Sequence, residues 1–243
     1  MSKTILITGA STGIGAATAE LLAPGNTIFV HYNSSKGPAE KVAENIAAKG
    51  GTAILIQANL STEAGCHQLV DELKKHTEKL DVLFNNAGGL IERQKITELE
   101  WDTMAEIFAL NTLAPMLITR LCVPLLEKGT DPNIVNMTSI AIRHGAPTAT
   151  AYGASKSAID SFTRGAAKEL APAIRVNAVA PGVIVTPFHE KYSTPERMKT
   201  FAGNTPLQRN GVSDHIAKAV VMLVENDFIT GETIDINGGL FMR

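Results

Sequence analysis

Tyr152 and Lys156 are the two side chains in this sequence whose types and spacing best suit proton transfer. They are four residues apart in the stretch TAYGASKS, so a helix would place both on one face. An unperturbed tyrosine titrates near pH ~10, and a cation within about 4–6 Å stabilises the phenolate and lowers that pKa. Tyr152 would then act as a general acid for a ketone being reduced, or as a base for an alcohol being oxidised. Taken alone, the same spacing is more typical of two ordinary helix neighbours.

A second hydroxyl precedes this pair, because Ser139 ends the β-like run NIVNMTSI thirteen residues before Tyr152. The carboxyl ends of parallel strands are where α/β proteins bind ligands. Ser139 could donate a hydrogen bond to a substrate carbonyl oxygen and orient it towards Tyr152. A serine at a strand end is also common without any such role.

Glycines at positions 9, 13 and 15 follow the first apolar run, in TILITGASTGIG, and precede the helical run Ala16–Leu22. Glycine allows a positive φ and a close approach of the backbone, and a helix N-terminus offers free N–H groups to a pyrophosphate. The spacing differs from the better-known G-x-G-x-x-G, and a plain tight turn is the alternative. Because the glycines follow the first strand of a βα pattern, we predict a dinucleotide site.

The end of the second apolar run bears on which dinucleotide is bound. An acid there would hold the 2′-hydroxyl of NAD and repel the 2′-phosphate of NADP. The stretch FVHYNSSKG has no acid but contains Asn33, Ser34 and Lys36, whose amide, hydroxyl and ammonium groups can bind a phosphate. We therefore favour NADP(H) over NAD(H), with the alternative that Lys36 simply begins the next helix.

The elements that must position these residues follow from an alternation along the chain. Amphipathic stretches such as Ala39–Lys49 and Glu63–His76 separate seven β-rich runs. Buried parallel strands need crossover helices, so the pattern predicts an α/β fold: a single-domain, doubly wound (Rossmann-type) parallel seven-stranded sheet with helices on both faces, over residues 1–243. The runs are Thr4–Ile7, Thr27–Val30, Ala53–Ile56, Val82–Phe84, Ile134–Met137, Arg175–Val179 and Thr233–Ile236.

One stretch departs from the alternation. Residues 182–211 contain three prolines and only a modest helical pattern, around Glu196–Phe201. A long, weakly regular segment in a compact fold is often a lid or a substrate loop. We predict a substrate lid over residues 183–211.

Composition and charge narrow the class of protein. The chain has 243 residues, a net charge of −2 and a pI near 6.3, so nothing electrostatic favours nucleic acid or an anionic membrane as a partner. It begins without a signal-peptide pattern, and no apolar run reaches the ~18 residues of a membrane span. The histidines lack metal-ligand spacing, and Cys66 and Cys122 form no pattern. We expect a cytoplasmic protein with free thiols and no metal site.

Taken together, these motifs resemble the shorter branch of the short-chain dehydrogenase/reductase family over essentially the whole chain. The family's order and spacing are matched by TGASTGIG at 8–15, NNAG at 85–88, Asn111 in ALNTLAP, Ser139, Tyr152-x-x-x-Lys156 and PGVIVT at 181–186. The resemblance implies a catalytic tetrad of Asn111, Ser139, Tyr152 and Lys156. In it Tyr152 is the acid or base, Lys156 lowers its pKa and holds the nicotinamide ribose, and Ser139 polarises the carbonyl. Asn111 fixes a water that relays protons from Lys156, or bends its helix and caps internal carbonyls.

The resemblance also implies which residues contact the dinucleotide. They lie in the glycine motif, at strand ends, in NNAG, in the catalytic helix and in PGVIVT: Gly9, Ser11, Thr12, Gly13, Ile14, Gly15, Tyr32, Asn33, Ser34, Asn59, Leu60, Asn86, Ala87, Gly88, Tyr152, Lys156, Pro181, Gly182, Ile184 and Thr186. Where the family usually has an Asp beside the adenine, this chain has Asn59, an amide that can still pair with that base.

The expected substrate is a small polar or anionic carbonyl compound. The candidate contacts are the substrate residues Arg143, His144 and His189, together with Arg93 and Lys191, each of which could equally be a solvated loop residue. The whole chain resembles bacterial 3-oxoacyl-carrier-protein reductases. NNAGGLIER and the lid sequence are more similar to family members that reduce sugar-derived ketones, including the keto-uronate released from alginate.

The same resemblance bears on other functions and on the oligomeric state. A non-catalytic NAD(P)-sensing binding protein is the alternative from another class, and the retained Tyr152 and Lys156 argue against it. A nucleotide-sugar epimerase would need a larger C-terminal region than this chain has. Family members are commonly tetramers built on long helices, which here would span about Glu100–Leu126 and Ala151–Leu170. We therefore predict a homotetramer.

Overall fold

A parallel sheet of seven strands organises the fold, as seen in a computed structural model that describes residues 2–242, with Lys191 described by its backbone alone. The strands are β1 (Thr4–Ile7), β2 (Thr27–Tyr32), β3 (Thr52–Gln57), β4 (Val82–Asn85), β5 (Asn133–Met137), β6 (Arg175–Pro181) and β9 (Thr233–Ile236). Two short strands, β7 (Ile184–Val185) and β8 (Gly211–Val212), lie outside this sheet. Their order across the sheet is β3-β2-β1-β4-β5-β6-β9, with every neighbouring pair parallel. This is a doubly wound order, so the predicted fold class is confirmed.

Helices cover both faces of the sheet. They are α1 (Gly13–Leu21), α2 (Lys36–Ala48), α3 (Glu63–Lys74), α4 (Trp101–Phe108), α5 (Ala114–Leu126), α6 (Ala141–His144), α7 (Thr150–Leu170), α8 (Pro187–Tyr192), α9 (Pro195–Asn204) and α10 (Ser213–Glu225). Two apolar cores result, one on each face. In β1, Ile5 and Ile7 join one core while Leu6 joins the other, because successive strand side chains alternate.

Helix α2 begins three residues before the predicted start at Ala39. Its first turn contains Pro38, and the first N–H groups of a helix have no intrahelical acceptor, so a proline is tolerated there. The sequence pattern alone placed the start after this proline. Lys36 is thus the first residue of α2, which was the alternative considered for it.

The predicted long helix near residues 100–126 is broken into three parts. A π-helical turn, Ala109–Leu113, joins α4 to α5 and carries Asn111. The whole run, Trp101–Leu126, is long and apolar enough to cross a membrane by length and composition, and half of its apolar window is buried inside the fold. By these criteria of length and composition, the expectation that no apolar run reaches the length of a membrane span is wrong. A helix in the core of a fold meets the same criteria.

The segment predicted as a lid, residues 183–211, is more regular than its sequence suggested. It contains both α8 and α9, whereas the sequence indicated one short helix. Its ends meet in a small two-stranded parallel sheet, in which β7 (Ile184–Val185) pairs with β8 (Gly211–Val212). The prolines that weakened the pattern begin these helices, since Pro187 and Pro195 occupy first-turn positions where a proline is favourable. We call residues 183–211 the lid segment.

Candidate active site

A cleft of about 720 Å³ opens at the carboxyl ends of the central strands, between the glycine motif and the lid segment. It brings together most of the residues singled out from the sequence. Ser139, Tyr152 and Lys156 line it, as do His144, His189 and all of the predicted dinucleotide contacts except Gly15. Asn111 and Arg143 do not line it. The two predicted ends of the site therefore belong to one cavity.

Tyr152 lies in the first turn of α7, facing Ser139 from the loop after β5. Burial raises the pKa of Tyr152 to about 12, and its hydrogen bond with Ser139 acts in the opposite direction. From the sequence we expected a lowered pKa. That expectation is wrong for the protein alone, because desolvation disfavours the phenolate more than the Ser139 hydroxyl stabilises it.

Lys156 lies one turn further along α7, with its ammonium group buried. Its Nζ donates to the carbonyl oxygen of Met137 at 2.9 Å and lies 5.9 Å from the centroid of the Tyr152 ring. Burial lowers the pKa of Lys156 to about 7. Tyr152 and Lys156 thus lie on one helix face as predicted. Burial disfavours both the phenolate form of Tyr152 and the ammonium form of Lys156.

Asn111 uses its side chain to fasten the π-helical turn to the loop after β4. Its Nδ2 donates to the carbonyl oxygens of Gly89 at 2.8 Å and Ile107 at 2.9 Å, and its Oδ1 accepts from the Gly89 N–H at 3.1 Å. These bonds match the helix-capping alternative, and the water relay stays a prediction. The same spot explains Gly88, where a Cβ would lie 2.7 Å from Asn111 Oδ1 and 3.0 Å from Lys156 Nζ.

The glycine motif forms a tight turn from β1 into α1. Gly9 and Gly13 have φ values of +62° and +59°, which favour glycine. Gly15 does not line the cleft, and a Cβ there would lie 2.4 Å from the Gly9 carbonyl oxygen. Its role is close packing of α1 on the turn. Thr12, the N-cap of α1, makes no side-chain capping bond, so this helix N-terminus keeps donors for a phosphate group.

His31 braces this turn, although the sequence alone suggested no role for it. Its Nδ1 accepts from the Gly9 N–H at 2.9 Å, and its Nε2 lies 3.1 Å from the Ala58 carbonyl oxygen. With Nδ1 as acceptor, we assign the proton to Nε2, which then donates to Ala58. Burial lowers the pKa of His31 to about 4, so the ring is neutral at pH 7. The sequence signal was a polar ring within the apolar strand FVHY.

The far end of the cleft, after β2, has the composition that the sequence suggested. Tyr32, Asn33 and Ser34 line it. Lys36 does not, because it starts α2 with Nζ 3.7 Å from Glu40 Oε1 and its side chain 70% exposed. The predicted 2′-phosphate site would thus rely on hydroxyl and amide groups rather than on this lysine.

The opposite end, under the lid segment, differs from the prediction at one residue. Arg143 points away from the cleft, where its Nε lies 3.3 Å from Asp235 and its NH2 lies 3.9 Å from Asp160. We therefore remove Arg143 from the candidate substrate contacts, since those carboxylates already neutralise it. Arg93 and Arg197 both line the cleft, and Arg197 was missed. The side chain of Lys191 lies outside the described atoms.

Comparison with known proteins gives this arrangement a family. A family model described as Enoyl-(Acyl carrier protein) reductase matches residues 9–241. The 3-oxoacyl-[acyl-carrier-protein] reductase FabG of Staphylococcus aureus (strain Mu50) is 36% identical over 250 residues, which cover 100% of this chain and 99% of that protein.

Two solved structures are similar over the whole chain. The angucycline C-6 ketoreductase LanV, with bound NADP, has a TM-score of 0.90 at 31% identity, covering 99% of this chain and 98% of its own. The NADH-dependent reductase A1-R′, responsible for alginate metabolism, has a TM-score of 0.91 at 29% identity, covering 100% and 98%. The chain belongs to the short-chain dehydrogenase/reductase family and is an NAD(P)-dependent oxidoreductase.

Proposed function

We propose that this protein reduces a ketone or an aldehyde to an alcohol, with Tyr152 as the proton donor. The observation that carries the proposal is the meeting of Tyr152, Ser139 and Lys156 in one cleft with the glycine motif. The Ser139 hydroxyl can donate to the substrate oxygen, while the phenol stands ready to protonate it. A reduced nicotinamide, when bound, supplies the hydride.

The protonation state of Tyr152 is the one that carbonyl reduction requires. A phenol with a pKa of about 12 is fully protonated at pH 7, which suits a donor to an oxygen that gains negative charge as it is reduced. Lys156 has a pKa of about 7 and lies beside Tyr152. In its protonated form it can stabilise the phenolate that is left after Tyr152 gives up its proton.

For the cofactor, we propose that NADP(H) is preferred over NAD(H). No described Asp or Glu lines the cleft, so nothing acidic beside Asn33 and Ser34 repels a 2′-phosphate. The relatives differ on this point, since LanV was solved with NADP and A1-R′ is NADH-dependent. Replacing Ser34 with Asp should shift the ratio of kcat/KM for NADPH over NADH towards NADH by about tenfold or more. A ratio that does not move would argue against this location for the 2′ group.

The proposed substrate is a small polar or anionic carbonyl compound, such as a sugar-derived keto-uronate. Arg93, Arg197, His144 and His189 line the lid end of the cleft and favour such a molecule over an apolar one. The second candidate is a 3-oxoacyl-carrier-protein thioester, which the identity to FabG supports.

A cofactor-oxidation panel tests these proposals. It compares an open-chain keto-uronate, a 3-oxoacyl thioester and an enoyl thioester with both NADPH and NADH. We expect the keto-uronate to give the highest kcat/KM. Turnover of the 3-oxoacyl thioester alone would reverse the ranking, and reduction of the enoyl thioester alone would contradict carbonyl reduction. Stabilisation by cofactor with no oxidation of any carbonyl would favour the sensing protein.

We also propose a cytoplasmic homotetramer, as the sequence indicated. Helices α4 and α5 and the turn between them expose large apolar side chains, among them Trp101, which is 79% exposed, and Leu113, which is 60% exposed. Exposed apolar residues on one helical run are what a subunit interface would cover. Sedimentation at micromolar concentration tests this, and a monomer would contradict it.

A further inference from the structure

We propose that Arg93 and Arg197, with His189 beside them, form a carboxylate-binding subsite at the lid end of the cleft. The inference deepens the proposed function and rests on it, since it names the substrate class as carbonyl acids whose carboxylate is several bonds away from the carbonyl. Arg93 comes from the loop after β4 and Arg197 from α9, so the subsite closes only when the lid segment lies over the cleft.

The first observation is the imbalance of charge in the cleft. Its lining includes the guanidinium groups of Arg93 and Arg197, and no carboxylate side chain among the residues that the structure describes. Low-dielectric walls lined by one sign of charge strengthen the attraction of an ion of the other sign. An anion entering this end would find cations to pair with and no carboxylate to repel it.

The second observation is that these two arginines, both half-buried, lack the carboxylate partner that three other arginines in the chain have. Arg143, Arg164 and Arg175 each lie within 4.0 Å of an aspartate carboxylate. Among the residues that the structure describes, no carboxylate lies within 4.0 Å of the guanidinium group of Arg93 or Arg197. A pair of guanidinium groups without a counter-ion is what a site for an external carboxylate requires.

The charges are also close enough to affect one another. Burial lowers the pKa of Arg93, and the positive charge of Arg197 lowers it further. Burial, Arg93 and Arg197 together lower the pKa of His189 to about 4, so its ring is neutral at pH 7. Each of these shifts means that added positive charge is disfavoured at this spot and that an anion would be stabilised there.

Both arginines are positioned rather than free. Arg93 donates from Nε to the Tyr192 carbonyl oxygen at 3.2 Å and from NH1 to Thr148 Oγ1 at 3.4 Å, which leaves further N–H groups for a ligand. Arg197 lies 5.4 Å from the centroid of the Phe201 ring, a cation–π contact that holds the side chain without using its donors.

Phe188 lies beside both the proton donor and His189 of the subsite. The Phe188 ring centroid is 6.1 Å from that of Tyr152 and 5.2 Å from that of His189. A ligand held by both sites must therefore extend past Phe188. The proposal therefore predicts that an open-chain uronate, whose carbonyl lies at the end opposite its carboxylate, is a better substrate than a 2-keto acid, in which the two groups are adjacent.

The test uses a matched substrate pair, 6-oxohexanoate and its methyl ester, which have the same aldehyde and differ in the carboxylate. In the wild type, kcat/KM should be at least about tenfold higher for the acid. Arg197→Gln should lower kcat/KM for the acid about 10- to 100-fold, mainly through KM, and leave the ester within twofold. Arg197→Lys should restore part of the loss.

The control is Arg209→Gln, which removes the same charge from an exposed residue of the lid segment that does not line the cleft. It should leave both substrates unchanged. Equal losses for acid and ester in Arg197→Gln, or no loss for either, would overturn the subsite. A loss seen only with an acyl-carrier-protein thioester would assign the arginines to docking of an acidic carrier instead, and would also overturn it.

A binding measurement separates failure of the subsite from failure of the proposed function. Adipate, which has a carboxylate at each end and no aldehyde or ketone to reduce, should bind the wild type with cofactor present and bind Arg197→Gln at least about tenfold more weakly in calorimetry. If the wild type reduces neither aldehyde yet binds adipate in this way, the subsite stands and the reductase proposal for these substrates fails. If it reduces both equally and adipate does not bind, the reverse holds.

Discussion

The two ends of the cleft are built in different ways. At the cofactor end, the turn after β1 is bonded from several sides. His31 accepts the Gly9 N–H, and Asn86 Nδ2 donates to the carbonyl oxygens of Thr8 and Gly9, both at 2.9 Å. The Thr8 hydroxyl in turn accepts the N–H groups of Asn86 and Ala87 at 3.0 and 2.9 Å. This backbone is preorganised, so a dinucleotide can bind with little rearrangement.

The lid end is held far less firmly. Helix α9 contains no buried residue, and one of the few described bonds from the lid segment to the body of the fold is that from Arg93 to the Tyr192 carbonyl oxygen. Regions with few buried contacts open at low free-energy cost. Under the proposed function, cofactor binding depends on fixed backbone geometry, whereas substrate choice depends on side chains of a less firmly held segment. The following predictions test that division, from the largest expected effect to the smallest.

Tyr152→Phe should abolish most of the turnover without changing the structure of either end of the cleft. Removing the hydroxyl deletes the proton donor, so kcat should fall by roughly 10²–10⁴-fold. The affinity for NADPH, measured by fluorescence titration, should stay within about twofold, because the braced turn around Gly9 is untouched. A variant with wild-type kcat would mean that another group protonates the substrate.

Gly15→Ala should damage the cofactor end by overpacking it. The new methyl group would lie 2.4 Å from the Gly9 carbonyl oxygen and 2.6 Å from Asn86 Nδ2, and a braced backbone cannot give way easily. We expect the free energy of unfolding to fall by about 3 kcal/mol and NADPH affinity to fall as well.

Gly165→Ala is the matched control for that change. Gly165 lies inside α7, and no atom outside its own helical turn lies within 4 Å of the place that a methyl group would take, so alanine should stabilise the helix by about 0.5–1 kcal/mol. Urea denaturation of both variants measures the contrast. Equal stabilities for the two would show that the turn is more adaptable than its bonds indicate.

The same division explains what the sequence could predict. The strands, the glycine motif and the Tyr152–Lys156 pair follow from local pattern, because period, glycine spacing and helical repeat need no knowledge of distant residues. The choice between Arg143 and Arg197 as a cleft residue could not be made locally. It depends on Asp235, which is 92 residues from Arg143 and neutralises it. His31 was likewise overlooked because its acceptor, Ala58, lies 27 residues away.

The pKa of Tyr152 was mispredicted for a related reason. Helical spacing correctly brings Lys156 close, but the sign of the pKa shift is decided by how deeply the phenol is buried. Burial is a property of the assembled fold, and no spacing rule contains it. The predicted chemistry survives in the reductive direction, where a protonated phenol is the species required.

His31 should make the stability of the cofactor end depend on pH. Its folded pKa of about 4 lies below the unfolded value of about 6.5, so between these values the unfolded chain binds the proton and the folded chain does not. Stability is therefore full above about pH 6.5 and is lost as pH falls towards 4. From pH 7 to pH 5 this residue should account for a loss of about 2 kcal/mol, which His31→Gln should remove.

His189→Gln is the comparison for that test. The pKa of His189 is also lowered to about 4, but this residue lies at the lid end. If the lid segment opens locally, His189 takes up its proton without global unfolding, and this variant should change the pH slope of global stability less than His31→Gln does. Urea denaturation at pH 7, 6 and 5 measures both slopes. Equal effects of the two variants would mean that the lid is as firmly held as the glycine turn.

Lys36→Ala should have the smallest effect, because this lysine belongs to the surface of the cofactor end rather than to its cleft. Its Nζ is 3.7 Å from Glu40 Oε1, its side chain is 70% exposed and it starts α2. Exposed ion pairs contribute little, so the ratio of kcat/KM for NADPH over NADH should change by less than about threefold. Steady-state kinetics with both cofactors at fixed ionic strength measures the ratio. A change above about tenfold would mean that Lys36 leaves Glu40 to bind a 2′-phosphate, and that the cofactor end rearranges in a way its bonded turn does not indicate.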